Sequence, residues 1–212
     1  LDQNRRAKDS DSYKVSTSTV GNEMTEVQAE AMLNDFDGGH KISSITDITG
    51  KVLKYTIQKT MMRVELPAPL AKGQSFSFAI KWSYNINDRL KIGGRSGYEY
   101  FPKDDNYLYT IAQFFPRMCV YDDVSGWQNK QFLGAGEFTL TFGNYLVEIT
   151  VPEDHLVAAT GELQNMPQLL TKNQLAKYNK AKTETVQPII IATEEEARER
   201  EKTKLKGTKT WK

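Results

Sequence analysis

A ten-residue stretch of strict alternation, SFSFAIKWSY at 75–84, constrains the fold more than any other part of the chain. Large apolar side chains occupy every second position of this stretch: Phe76, Phe78, Ile80, Trp82 and Tyr84. Because successive side chains of a strand point to opposite faces, the pattern predicts a strand in a sheet with one buried face. The aromatic residues of this stretch are therefore assigned to core packing rather than to a ligand platform.

Shorter strand signals recur along the rest of the chain, separated by turn residues. Strands are predicted at 41–46, 52–57, 62–66, 97–101, 106–114, 137–142, 145–151, 155–160, 186–193 and 207–212. Gly143 and Asn144 form a tight-turn dipeptide, which predicts a hairpin between the strands on either side. Short strands without regular strand–helix alternation predict a mainly β chain, an antiparallel β-sandwich with two or three inserted helices.

Helix signals are fewer, and two of the three predicted helices have an N-terminal cap. Thr25 precedes a short helix predicted at 27–33, and an amphipathic helix is predicted within 168–184. Thr193 is the predicted cap of a further helix, whose first turn holds three glutamates. Acidic residues are favoured there because they complement the positive end of the helix dipole.

These signals predict one polar arm followed by one domain. Residues 1–24 form the arm, which is polar enough to be partly disordered. Residues 25–212 form a single β-sandwich domain with a helical insertion at about 167–206. A basic, glycine-rich stretch at 88–97 lacks the spacing of a phosphate-binding loop and is predicted to be a flexible connection.

The charge balance, the short apolar runs and the single cysteine disfavour several classes of function. With 28 basic and 27 acidic residues, the formal net charge is +1, which gives no long-range attraction to nucleic acid. No apolar run approaches the roughly 20 residues of a transmembrane helix, so no membrane span is predicted. Cys119 has apolar neighbours and is predicted to be a packing residue rather than a reactive thiol.

The residues that could carry chemistry are few. The two histidines, His40 and His155, belong to no H-E-x-x-H or similar metal motif, and both are predicted to be solvated loop imidazoles. The acidic pairs at 104–105 and 122–123 lie at predicted turns, where aspartate is favoured for bonding its own backbone. Taken without family information, the sequence predicts no catalytic residue and no metal site in this chain.

One long stretch, 106–165, nevertheless resembles a known family. The features that carry the resemblance are Gln113 and Pro116 before VYDD, then Gly126-Trp127, Gly136-Glu137-Phe138, Phe142-Gly143 and ITVPEDHLVAATGEL at 149–163. The stretch is similar to the amino-terminal β-domain of aminopeptidase N-like zinc metallopeptidases, the gluzincin family, and most similar to a bacterial branch of it. The upstream run NINDRLKIGGRSGYEYF at 85–101 also fits that branch. The insertion at 164–206 departs from the better-known members.

The resemblance implies that this chain is one part of a larger enzyme. In that family a saddle-like β-sandwich precedes a catalytic domain that binds zinc through H-E-x-x-H and a downstream glutamate. The chain would be the non-catalytic N-terminal domain of a zinc-dependent aminopeptidase, shaping the substrate cleft and helping to recognise the peptide amino terminus. No cofactor is expected in this chain itself. Its expected partners are its own C-terminal, zinc-binding catalytic domain and the peptide substrate, in a periplasmic or secreted parent protein.

Gln113 is the one substrate-binding residue that the resemblance implies. In the family, a glutamine on the strand before the proline-containing turn bonds the free amino group of the substrate. A carboxamide oxygen can accept from an ammonium group without adding charge. The alternative is a strand glutamine that bonds neighbouring backbone, which is the common fate of such side chains.

A second function from a different class remains open. The aromatic residues near the hairpin at 97–110 are Tyr98, Tyr100, Phe101, Tyr107 and Tyr109. They would provide a platform for peptide or carbohydrate in a β-sandwich binding module, or in part of an inactive pseudo-peptidase. A downstream H-E-x-x-H in the coding sequence would favour the peptidase, and its absence would favour the binding module.

Overall fold

The computed structural model describes residues 25–26, 36–58, 60–130, 141–203 and 205–212. The predictions for the polar arm at 1–24 and the helix at 27–33 concern residues outside these ranges. Within the described ranges strand residues outnumber helical ones, and the strands form small antiparallel sheets of two strands, none of them closed. The prediction of a mainly β chain is therefore confirmed.

Internal contacts divide the described residues into two compact units. The first draws its residues from Leu1–Phe101 and Tyr107–Thr141, and the second from Pro102–Asn106 and Phe142–Lys212. No described helix is long and apolar enough to cross a membrane. The alternating stretch at 75–84 belongs to the first unit, whereas the two longest of the described helices belong to the second.

The alternating stretch forms one strand of the main sheet of the first unit. Strand β1 (Lys41–Asp47) pairs antiparallel with β4 (Phe78–Ser83), and Ile45 lies opposite Ile80. Side chains along β4 alternate between half-buried and exposed, as the sequence predicts. Ile45 is fully buried, and Leu53, whose N–H donates to the Ile45 carbonyl, is nearly so. The core of this unit therefore includes the face of the sheet on which Ile45 lies.

The strands predicted between these two are present but displaced. Strand β2 (Tyr55–Gln58) begins three residues later than the sequence predicts, and β3 (Met61–Val64) completes an antiparallel hairpin with it. Val52, the predicted first residue of β2, makes only an isolated bridge to Thr46. The boundary differs because β1 provides this local partner for Val52 before the hairpin begins.

The glycine-rich stretch at 88–97 contains a helical turn that the sequence did not predict. This turn, α1 (Arg89–Ile92), is capped by Asp88, whose Oδ1 accepts from the N–H groups of Leu90 at 3.0 Å and Lys91 at 3.3 Å. The cap satisfies amide groups that have no partner within a single turn. The glycines at 93, 94 and 97 favour the predicted flexible connection, but Asp88 before them caps a helical turn.

A hairpin follows where the sequence predicts it. Strand β5 (Gly97–Phe101) pairs with β6 (Asn106–Thr110). Gly97 adopts a φ of +153°, and a Cβ at this position would lie 2.7 Å from the carbonyl oxygen of Asn87. Only glycine fits this close approach, which fixes the path of the chain at the start of β5.

In the second unit, strand β9 (Ile149–Pro152) pairs with β10 (Thr208–Trp211), a pairing that the sequence does not predict. Neither Gly143 nor Asn144 has the positive φ that a two-residue hairpin turn requires. Most of the predicted partner strand at 137–142 lies outside the described residues. The predicted β10 is confirmed, and its Trp211 is buried.

The other two strands predicted for this unit are not formed. Residues 155–160 and 186–193 run through the second unit without strand pairing. Two helices are confirmed instead. Helix α3 (Lys172–Ala181) follows the short α2 (Met166–Leu169), and α4 (Glu194–Glu201) begins after Thr193.

Both of the longer helices begin with a capping box. Thr171 Oγ1 accepts from the Gln174 N–H while the Gln174 side chain accepts from the Thr171 N–H. Thr193 and Glu196 repeat the arrangement at α4. Each box satisfies two amide groups that the helix leaves without partners. The start of α4 is therefore where the sequence predicts it, with the glutamates in its first turn.

Candidate functional site

The candidate site is a bend at Gln113, which follows β6. Strand β6 ends at Thr110, so Gln113 is not within a strand as the sequence predicts. Its φ is +53°, in the left-handed region that non-glycine residues rarely adopt. The side chain is exposed to solvent. The prediction of a strand through 114 is wrong because a left-handed residue cannot continue the extended backbone of the ladder.

On the C-terminal side, the bend is held by two donors on one carbonyl. The carbonyl oxygen of Phe114 accepts from His40 Nε2 at 3.0 Å and from Trp82 Nε1 at 3.2 Å. Because a carbonyl oxygen only accepts, the hydrogen of the His40 ring must be on Nε2 in this contact. The two donors use both lone pairs of the Phe114 oxygen.

On the N-terminal side, a single serine binds both polar groups of one residue. The N–H of Ala112 donates to Ser96 Oγ at 2.9 Å, and Ser96 Oγ is 3.2 Å from the carbonyl oxygen of Ala112, to which it donates. Ser96 directly precedes β5, where Gly97 packs against Asn87. The residues on both sides of Gln113 are therefore attached to other parts of the first unit.

His40 is not the solvated loop imidazole that the sequence predicts. It is partly buried, and its ring centroid lies 5.6 Å from that of Tyr84 and 6.5 Å from that of Trp82. Burial also raises the pKa of the Tyr84 phenol above its usual value. The pairing of β1 with β4 brings these rings together, since Lys41 lies opposite Ser83. His40 is therefore part of the support of the bend.

The arrangement presents a neutral carboxamide on a fixed backbone. Gln113 offers one acceptor oxygen and two N–H donors, and it carries no charge that titrates. Arg117 lies nearby in sequence, with its guanidinium carbon 5.6 Å from the ring centroid of Phe115. The Gln113 side chain can therefore bind a hydrogen-bonding partner, such as an ammonium group.

A second turn in the same stretch is closed by Asp122. It connects β7 (Tyr121–Asp122) with β8 (Gly126–Trp127). Asp122 Oδ1 accepts from the N–H groups of Val124 at 3.0 Å and Ser125 at 2.6 Å, and Oδ2 accepts from Gln128 Nε2 at 2.7 Å. The bond from Ser125, followed by that from Gln128, lowers the pKa of the Asp122 carboxyl. The predicted turn-stabilising role of this acid is confirmed.

The β5–β6 hairpin carries the tyrosines that the sequence singles out. Ring contacts join four of them into one cluster, with centroids 4.7 Å apart for Tyr100 and Tyr107, and 5.8 Å for Tyr98 and Tyr107. Tyr109 stacks on Tyr107 at 6.0 Å. Burial, followed by the neighbouring phenols, raises the pKa of Tyr109. Three of the rings remain between 40% and 48% exposed, and Phe101 is 44% exposed.

The remaining candidate residues have local partners. His155 Nδ1 lies 2.8 Å from Asp154 Oδ1. Cys119 is partly buried, and its Sγ lies 3.6 Å from the Sδ of Met61, in keeping with the predicted packing role. Within the described ranges, no group of three or more His, Cys, Asp and Glu side chains could hold a metal ion.

The family resemblance points to Gln113, but the sequence does not predict the residues that support its bend. Ser96, His40 and Trp82 are distant in sequence, with no shared motif. The sequence predicts His40 in solvent and Trp82 in the core, and neither prediction gives a role to the ring N–H of the side chain. The ring N–H groups are the available signal, because a buried Trp N–H usually donates to an acceptor. The sequence does not identify Phe114 as that acceptor.

The resemblance to the aminopeptidase N-like β-domain covers the stretch that contains both the Gln113 bend and the Asp122 turn. It rests on the residues at 106–165 and on the upstream stretch at 85–101. Comparisons with models of known protein families, with curated proteins and with solved structures found no match to this chain.

Proposed function

We propose that this chain is the non-catalytic N-terminal domain of a zinc-dependent aminopeptidase, in which Gln113 binds the amino terminus of the peptide. The observation that carries the proposal is the conformation of Gln113, an exposed residue at a φ of +53°. Such conformations cost about 1–3 kcal/mol and persist where the surroundings enforce them, commonly at ligand-binding positions. The support of the bend and the family resemblance favour the same residue.

The chemistry assigned to this chain is recognition. The Gln113 oxygen accepts from the ammonium group of the substrate, which fixes the end of the peptide from which residues are removed. The described residues do not provide a set of metal ligands, so no zinc step is derived for them. Zinc would belong to the catalytic domain of the parent protein, which we place in the periplasm or outside the cell.

Exposed apolar side chains in the second unit favour the proposal that this chain binds a large protein domain. Phe142 is fully exposed, Leu146 is 83% exposed and Tyr145 is 58% exposed, within one short segment. Contiguous exposed apolar surface commonly marks an interaction site. We assign this segment to contact with the catalytic domain. The saddle-like, antiparallel β-sandwich belongs to the same proposal and is supported by the small antiparallel sheets.

Kinetics of the full-length protein test the role of Gln113. Gln113→Ala should raise KM for amino-acid 4-nitroanilides about tenfold, because truncation removes a hydrogen bond to a charged group. Gln187→Ala is the matched control, since Gln187 is an exposed glutamine of the second unit. Unchanged kinetics in Gln113→Ala would reject the assignment of this residue.

A pair of inhibitors makes the test specific for the amino group. A peptide with a free amino terminus should inhibit more strongly than its desamino analogue, and Gln113→Ala should reduce that preference. The chain on its own should not cleave amino-acid nitroanilides. Turnover by the pure chain that survives zinc chelation would contradict the proposal, as would a coding sequence without H-E-x-x-H after Lys212.

The tyrosine cluster favours one alternative, a binding module for peptide or carbohydrate. Its rings lie on the β5–β6 hairpin and remain accessible, with Tyr107 48% exposed. Aromatic residues provide large contact area and a polar hydroxyl at the same time. Binding to a glycan array that is lost in Tyr107→Ala would favour this alternative over the peptidase.

A further inference from the structure

The support of the Gln113 bend is more extensive than an ordinary loop requires. Four hydrogen bonds hold the two neighbours of Gln113, and three side chains provide them. A left-handed position that served only to turn the chain would be occupied most favourably by glycine. The chain instead retains a glutamine there and surrounds it with long-range contacts.

We propose that His40, Trp82 and Ser96 are positioning residues that hold Gln113 in its left-handed conformation and so fix the direction of its carboxamide. The inference rests on the proposed function, in which that carboxamide binds the substrate amino group. It adds three residues, of which His40 and Trp82 lie outside the stretches with the family resemblance.

Each donor restrains a defined part of the bend. Ser96 binds the N–H and the carbonyl of Ala112, so it fixes the peptide plane that enters Gln113. His40 and Trp82 bind the carbonyl of Phe114, so they fix the plane that follows Phe114. With both neighbours held, rotation of the Gln113 backbone into a favoured region would break at least one of these bonds.

The donors are themselves fixed by regular structure. Trp82 lies in β4, opposite Ile42 of β1, and His40 directly precedes β1. Ser96 precedes β5, whose first residue, Gly97, packs against Asn87. The carboxamide is therefore presented from two-stranded sheets rather than from a free loop, which is the kind of support that precise binding geometry requires.

Conservative variants separate the hydrogen bonds from the packing. Trp82→Phe and His40→Phe keep an aromatic ring and remove the N–H donor, whereas His40→Gln keeps a donor. Ser96→Ala removes the hydroxyl alone. Matched controls are Trp127→Phe and Ser75→Ala, which change an exposed tryptophan and an exposed serine that lie outside β1, β4 and β5.

Two readouts are needed. The first is the backbone conformation of residue 113, measured by NMR coupling constants and chemical shifts in the isotope-labelled chain. The second is steady-state kinetics of the full-length protein with an amino-acid 4-nitroanilide. In Trp82→Phe and Ser96→Ala we expect averaged backbone angles at residue 113 and a KM about 3- to 10-fold higher, with a smaller change in kcat. His40→Gln should behave more like the wild type than His40→Phe does.

The outcomes distinguish this inference from the proposed function. Native backbone angles at residue 113 in both Trp82→Phe and Ser96→Ala would overturn the positioning role, even if Gln113→Ala raised KM. Averaged angles with no kinetic effect of Gln113→Ala would support the positioning and overturn amine recognition. If Trp82→Phe fails to fold, the positioning role is tested by Ser96→Ala and by the comparison of His40→Gln with His40→Phe.

Discussion

The Gln113 bend and the Asp122 turn lie close together in sequence but are held in opposite ways. The Asp122 carboxylate is bonded to partners two, three and six residues away. The Gln113 bend is bonded through its neighbours to partners 16, 32 and 74 residues away. Where the turn needs a positive φ it uses Gly126, at +67°, whereas the bend uses glutamine at +53°.

The difference bears on the proposed role of Gln113. A local turn closed by its own aspartate forms as soon as its few residues are present. A strained backbone conformation that is held by distant donors forms only after the surrounding sheets have formed. The contacts with those sheets must offset the conformational free energy of the strained residue. Retention of a side chain at such a position is what a binding role for Gln113 requires.

The largest effect is expected from a variant that weakens the β1–β4 sheet, which supports the Gln113 bend. Ile45→Ala should lower the free energy of unfolding by about 2–5 kcal/mol, because it leaves a cavity at a fully buried side chain. Hydrogen exchange should accelerate at the Ala112 amide more than at the Ser125 amide, since only Ala112 depends on distant contacts.

Ile48→Ala is the control, because Ile48 is 82% exposed. It should change the free energy of unfolding by less than about 0.5 kcal/mol. Equal acceleration of the Ala112 and Ser125 amides in Ile45→Ala would show that the Asp122 turn depends on the sheet as much as the Gln113 bend does. That result would contradict the distinction between a locally closed turn and a distantly supported bend.

A smaller effect comes from exchanging the residues at the two left-handed positions. Gln113→Val should lower the free energy of unfolding by about 1–3 kcal/mol, because a β-branched residue tolerates positive φ poorly. Gln113→Gly should raise it by up to about 1 kcal/mol while abolishing amine recognition. Gly126→Gln should destabilise the turn by about 1–2 kcal/mol. Chemical denaturation measures all three, and a destabilising Gln113→Gly would show that the bend is not strained.

The smallest effect is the pH dependence of the Asp122 turn. The folded-state pKa of Asp122 lies below the ordinary value of 3.8, mainly because of the Ser125 amide. The carboxylate therefore contributes stability fully above that value, and the contribution is lost as the pH falls through the lower folded-state pKa. Asp122→Asn should remove this part of the acid dependence of unfolding.

An NMR titration of the Asp122 carboxyl provides the direct measurement. Gln128→Ala should move the pKa part of the way back toward 3.8, since Gln128 Nε2 donates to the carboxylate. A pKa that does not move in this variant would show that the backbone amides account for the entire shift.

Local features of the fold could be predicted from the sequence. The alternation at 75–84 predicted the half-buried face of β4, and Thr193 with its glutamates predicted the start of α4. The Asp122 turn belongs to the same group. In each case the interacting groups lie within a few residues of one another, so residue type and spacing specify the contact.

Pairings between distant segments could not be predicted. Gly143 and Asn144 suggested a hairpin, but β9 pairs with β10, a strand from the far end of the chain. Residues 186–193 have an apolar composition suited to a strand, yet no partner strand pairs with them in the structure described. Strand formation depends on a hydrogen-bonding partner, and the sequence of one strand does not identify its partner.

The sequence by itself therefore determined the mainly β class, the Thr193 cap of α4 and the Asp122 turn, whereas the interest in Gln113 comes from the family resemblance. Only the tertiary structure decided that Gln113 lies on a strained, exposed bend and that His40, Trp82 and Ser96 support it. The physical reason is the sequence separation between the groups that bond to each other. Caps and turns are closed by bonds within a few residues, whereas a left-handed glutamine is stable only when sheets from distant parts of the chain supply its restraints.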